Sequence, residues 1–168
     1  MGLEILDFIQ RFRHPVLDVF FKYLTILGNH GEIWIAIILF LYLCRKEKRV
    51  TKFALFALVT EAFLIFLIKN IVQRPRPFIS NPVVNLILNN PSGYSFPSGH
   101  AASAFAVATF LYLRNIRYKK FIILMAFLMA FSRLYVYVHY LSDVLVGSLI
   151  GILVGIFTNY LYEREVIK

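Results

Sequence analysis

The chain has 168 residues, the length of one domain; 60% are hydrophobic and only 16% charged. Soluble domains run at roughly 45–50% apolar, so an ordinary soluble fold is excluded and an integral membrane protein is implied. The net charge of +9 does not mark a nucleic-acid surface, because the basic residues cluster between apolar runs as topology determinants do. The single cysteine, Cys44, permits no intrachain disulfide and defines no metal site.

In chain order, residues 1–14 come first. Leu3, Ile5, Leu6, Phe8, Ile9 and Phe12 fall largely on one helical side, with Glu4, Asp7 and Arg11 elsewhere. That pattern predicts an interfacial amphipathic helix, without the plain apolar run of a cleavable signal peptide. Pro15 interrupts it. A first span is expected over about 15–28, with Asp18 and Lys22 placed to pair one turn apart. Further spans are expected over about 32–44, 51–70, 99–114, 119–137 and 143–162. Several fall short of the ~20 residues a crossing needs, so extension into the flanks is expected. The reading is a single all-α membrane domain of six transmembrane helices, with a long outer loop over 71–97. Val83, Val84, Leu86, Ile87 and Leu88 make that loop too apolar for a solvated linker, and a short interfacial helix is expected in it.

Charge sets the expected orientation. Thirteen of the eighteen Lys/Arg residues fall on one side of a six-span plan: Arg11, Arg13, Arg45, Lys46, Lys48, Arg49, Lys52, Arg114, Arg117, Lys119, Lys120, Arg164 and Lys168. That side is expected to be cytoplasmic, with both termini on it. Packing also leaves a signal. Gly147, Gly151 and Gly155 repeat every four residues, and 101–108 is rich in alanine. Small faces let helix backbones approach closely in lipid, so these two spans are expected to pack together.

Three polar blocks collect at the outer ends of the spans. The first is Lys69, six residues, then Arg76-Pro77. The second is Pro97-Ser98-Gly99-His100. The third is Ser132-Arg133, then His139 and Asp143. Lys69, Arg76 and Arg133 suit an anion with several oxygens, and guanidinium forks match phosphate. Ser98 is placed as an N-cap, which leaves the early amides, that of Gly99 included, free to bind an anion. Asp143, four residues after His139, can hold one imidazole nitrogen and leave the other basic. The set reads as phosphoryl transfer through a phosphohistidine. His139 is the nucleophile, His100 the general acid, and Asp143 orients the nucleophile. Lys69, Arg76, Ser98, Gly99 and Arg133 bind the phosphate. Arg74 is a candidate substrate contact. Three crowded cations would repel a metal ion, so no metal or other cofactor is expected. Glu61, near the middle of a span, is expected to be buried, hydrogen-bonded or protonated, in a structural role.

The three blocks resemble the three signature motifs of the type 2 phosphatidic acid phosphatase superfamily, at Lys69, Arg76, Pro77, Pro97, Ser98, Gly99, His100, Ser132, Arg133, His139 and Asp143. The resemblance implies a six-helix lipid phosphatase of a bacterial inner membrane, with its site facing outward. It also implies a substrate such as undecaprenyl diphosphate, phosphatidylglycerol phosphate or lipid A 1-phosphate. The bilayer and the lipid phosphate are the expected partners, with no nucleic acid and no obligate protein partner. Two other functions fit the same residues: a phosphotransferase passing the group to a lipid or sugar, and a non-enzymatic lipid-binding or transport protein.

Overall fold

Long apolar stretches with polar breaks fold into helices, and among the described residues no strand occurs. The computed structural model describes residues 2–44, 47–81, 85–88 and 90–167. The helices are α1 (Gly2–Gln10), α2 (Pro15–Leu27), α3 (Glu32–Cys44), α4 (Lys48–Val72), α5 (Pro77–Ser80), α6 (Gly99–Leu113), α7 (Lys119–Tyr135) and α8 (Leu141–Ile167). Local chemistry sets several ends. Pro15 occupies the first turn of α2, where its missing N–H costs nothing, and the His14 ring accepts from the Val16 amide. The α4 helix stops at Gln73, whose left-handed φ of 50° turns the chain out.

The seam between α6 and α8 carries the fold. A Cβ at Gly147 or Gly151 would collide with the backbone of Ser98 or Ala102, and one at Gly155 would lie 2.8 Å from the Ala106 oxygen. Hydrogen at these three positions lets the two backbones touch, as small-residue helix pairs in lipid do. The expected pairing holds, with Ala102 and Ala106 lining the contact. Against the other side of α6 pack α4 and α7, with Phe105, Val107, Phe110, Met129 and Leu134 in the core.

The six-span plan is not confirmed at the N-terminal end. The α2 and α3 helices have 13 residues each, about 20 Å apiece, too short to cross alone. They meet through a 3₁₀ turn at Asn29–Gly31 with a bend of only 57°. The pair therefore continues in one general direction. Near its start, Asp18 accepts from the Tyr135 hydroxyl at the end of α7. Leu41, near its finish, lies beside Arg114 and Tyr162 at the opposite end of the bundle. By length and composition α4 (with its extension to Ser80) and α8 can each cross a membrane, and α2 with α3, taken as one bent span, would make a third.

Both termini are expected on one side, but α1 and the end of α8 lie at opposite ends of the bundle. The α1 helix packs at the end of the bundle where α7 turns into α8. Gln10 donates to the Tyr135 carbonyl, Tyr137 donates to Asp7, and Gly2 sits against the Tyr140 ring. At the far end Glu163 and Glu165, near the end of α8, bond Arg114, Lys52 and Arg49. Two shorter differences follow from nearer partners. Asp18 pairs with Arg13 at 2.9 Å, not with Lys22. In the 71–97 segment the described helix ends at Ser80; Leu86, Ile87 and Leu88 are non-helical and pack on the core, while Val83 and Val84 lie outside the described residues.

Candidate active site

The α6–α8 seam ends in the second polar block. Ser98 caps α6, its Oγ accepting from the Ala101 amide at 3.4 Å. Its own amide donates to the Asp143 carbonyl at 3.0 Å, and Gly147 lies against its backbone. The start of α6 is therefore braced on the first turn of α8, where Asp143 stands. Gly99, next to Ser98, is half-buried, and a Cβ there would lie 3.7 Å from Ile65 Cγ2.

Asp143 is fully buried and its carboxylate is well supplied. Oδ2 accepts from the Tyr140 amide at 2.9 Å and lies 3.5 Å from His139 Nδ1; Oδ1 accepts from Arg74 Nη1 at 2.7 Å. Arg74, a candidate substrate contact in the sequence, donates to this carboxylate. The same Nη1 reaches Ser142 Oγ at 2.7 Å, and the guanidinium lies 3.9 Å from the centre of the Tyr140 ring.

His139 sits in the turn between α7 and α8. Its Nε2 is 3.5 Å from Arg76 Nη1. A guanidinium only donates, so this contact leaves the lone pair on Nε2 and the proton on Nδ1, facing Asp143. Burial pushes the imidazole from its ordinary 6.5 down to about 3; Arg133, Arg76 and Lys69 add to this and Asp143 opposes it. A neutral ring with an outward lone pair is the form a nucleophile needs.

The cations are held differently. Arg76 is buried and spends Nε on the Gly93 carbonyl, Nη2 on Ser92 and Nη1 on Val138. Lys69 donates to the Tyr94 carbonyl at 2.6 Å. Arg133 is 3% exposed, yet its Nε and Nη1 are buried with no hydrogen-bond partner among the described residues. Unpaired buried donors of this kind are costly unless an anion completes them. The structure thus gathers the sequence-read residues Lys69, Arg76, Ser98, Gly99, His100, Arg133, His139 and Asp143 at one end of the bundle.

His100 rests on a residue that the sequence did not single out. Its Nε2 lies 3.2 Å from the Thr25 carbonyl, which only accepts, so the contact puts a proton on Nε2. Thr25 Oγ1 donates to Ser132 Oγ at 3.0 Å, and Ser132 donates to the Met129 carbonyl. Ser132 therefore anchors the strut that holds His100. The approach is close: a Cβ at Gly28 would lie 2.7 Å from His100 Cδ2. One signal was available, a hydroxyl on the otherwise apolar buried face of α2.

A cationic phosphate cradle around a buried imidazole–carboxylate pair, inside an apolar helical bundle, defines a membrane phosphoryl-transfer enzyme. The sequence profile of the PAP2 superfamily matches residues 50–167, and the chain belongs to that family and is a phosphatase. The structure superposes on that of Aquifex aeolicus LpxE with a TM-score of 0.82 and 39% identity, covering 94% of this chain and 93% of the other. The undecaprenyl-diphosphatase BcrC of Bacillus subtilis is 27% identical over 147 residues, 86% of this chain and 76% of that protein. The lipid A 4'-phosphatase of Bacteroides thetaiotaomicron is 36% identical over 87 residues, 48% of this chain and 39% of that protein.

Proposed function

We propose that the protein removes phosphate from a membrane lipid phosphate or diphosphate through a phosphohistidine. The observation that carries this reading is Arg133, whose buried donors have no partner among the described residues and belong to the same cluster of cations as Arg76, which contacts His139 Nε2. His139 Nε2 attacks phosphorus, forming a P–N bond as the P–O bond to the lipid breaks. His100, carrying a second proton on Nδ1 while its Nε2–H stays on the Thr25 carbonyl, gives that Nδ1 proton to the departing oxygen. Lys69, Arg76, Arg133, Ser98 and the Gly99 amide hold the equatorial oxygens as charge builds. Water then attacks phosphorus, forming a P–O bond as the P–N bond breaks, and gives a proton to Nδ1 of His100; inorganic phosphate leaves with His139 restored.

Undecaprenyl diphosphate and a lipid A phosphate are candidate substrates because relatives are named for them; phosphatidylglycerol phosphate is a third. Apart from Arg11 and Arg13, which flank α1 at the site end, the described basic residues of the charge count (Lys48, Arg49, Lys52, Arg114, Arg117, Lys119, Lys120 and Arg164) lie toward the opposite end. That opposite end is the cytoplasmic one in a bacterial inner membrane, so the site and α1 face outward. The test is phosphate release by purified protein from a panel of lipid phosphates. Wild type releases phosphate and is inhibited by vanadate, and His139→Ala loses activity by at least about a thousandfold. Near-normal turnover in His139→Ala would overturn the mechanism.

A further inference from the structure

Glu61 lies midway along α4 and is 3% exposed. Its Oε2 is buried with no hydrogen-bond partner among the described residues. The nearest functional groups do not serve it: Lys69 donates to the Tyr94 carbonyl and His100 Nε2 to the Thr25 carbonyl. Glu61 instead lines a cavity of about 340 Å³ that it shares with Lys69, Gly99 and His100. The remaining wall is mostly apolar, including Ile65 and Phe66, and Phe66 is 63% exposed on the outer side of α4. The cavity therefore leads from the phosphate cradle, along α4, toward the flank of the bundle where acyl chains pack.

A carboxyl in such a wall is unfavourable unless something in the cavity bonds it. Its position says what that is. Glu61 stands eight residues before Lys69, about 12 Å along the helix axis. A lipid whose phosphate sits by Lys69 and His100 places there the atoms where its acyl portion begins. In a polyprenyl diphosphate those atoms carry only C–H. In a hydroxyacyl or amide-linked lipid they carry O–H or N–H donors. A site built to bond such a group rejects an analogue that lacks it, because the protein's own polar group is then left unpaired.

We propose that Glu61 is a recognition residue that hydrogen-bonds a hydroxyl or amide group near the phosphate end of the substrate's acyl portion. The favoured substrate is then a hydroxy- or amide-bearing lipid phosphate, not a polyprenyl diphosphate. This rests on the phosphatase reading above and adds to it a selective element.

The experiment compares wild type, Glu61→Gln and Glu61→Leu, purified in detergent and matched for monodispersity and thermal unfolding. The substrates are a lipid A 1-phosphate, which carries amide and hydroxyl groups, a dioleoyl phosphatidic acid and undecaprenyl diphosphate. Glu61→Leu is expected to lower the ratio of kcat/KM for the lipid A phosphate over undecaprenyl diphosphate by at least about tenfold. Glu61→Gln keeps an acceptor and is expected to hold the ratio within about threefold. Equal loss on all three lipids in both variants would overturn the proposal, since a structural role moves every substrate together. An unchanged ratio in Glu61→Leu would overturn it as well. Phosphate release from none of the three by wild type would instead sink the phosphatase reading itself.

Discussion

Replacing Arg74 separates two roles that the sequence could not. Asp143 is 0% exposed and Arg74 33% exposed at the side chain, and one guanidinium N–H reaches Oδ1 at 2.7 Å. The rest of the carboxylate's support is the Tyr140 amide and the His139 ring. Removing a charge-assisted bond from a buried acceptor costs about 1.5–3 kcal/mol. Water reaching the vacated, partly exposed position offsets some of that. At 1.36 kcal/mol per decade, a carboxylate that no longer orients His139 lowers kcat by about 10- to 100-fold. The assay is steady-state phosphate release in mixed micelles at varied lipid mole fraction. Arg74→Ala is expected to lower kcat with KM moved less than about threefold, and Arg74→Lys to recover part of the loss. A raised KM at unchanged kcat would refute the reasoning, because it would place Arg74 on the substrate.

Three other predictions concern the rest of the molecule. Gly151→Ala drives a methyl into the Ala102 carbonyl and is expected to destabilise the bundle by about 1–3 kcal/mol; thermal unfolding in detergent reads this, and an unshifted midpoint would contradict the seam. The His139 ring, held down at about 3, takes a proton only as pH falls through that value. It stays neutral from pH 8 to 5, and an NMR titration of the substrate-free protein is expected to show its ring signals flat there, whereas an inflection near 6.5 would refute the geometry. Tags at the two ends of the chain are expected to be cleaved by protease from opposite faces of sealed vesicles, and cleavage from one face would restore the even-span plan.

The site was largely legible because its residues are expensive where they stand. Lys69, Arg76 and Arg133 lie at span ends opposite the main basic clusters, and few structural needs place cations there. The Gly147–Gly151–Gly155 spacing is equally direct, since a four-residue repeat is the pitch of a helix seam. The traverse count was less legible. Two apolar stretches of 13 residues separated by Gly28–Gly31 read as two short spans, whereas in the structure they form a pair bent by 57°. Arg13 counted as a cytoplasmic charge, yet it bonds Asp18 and the Asn85 carbonyl at the site end. The roles of Thr25 and Arg74 depend on partners 75 and 69 residues away. Contacts at that separation leave no periodicity to read.

A glycine repeat is a ruler with identical marks. Sliding α8 along α6 by four residues, about 6 Å, would seat two of the three glycines in a neighbour's notch. What distinguishes the true register is the polar end, where the Ser98 amide meets the Asp143 carbonyl and Arg74 meets the Asp143 carboxylate. A displaced helix would bury those groups without partners. The residues that perform the chemistry thus also tell the bundle which of its near-equivalent alignments to adopt.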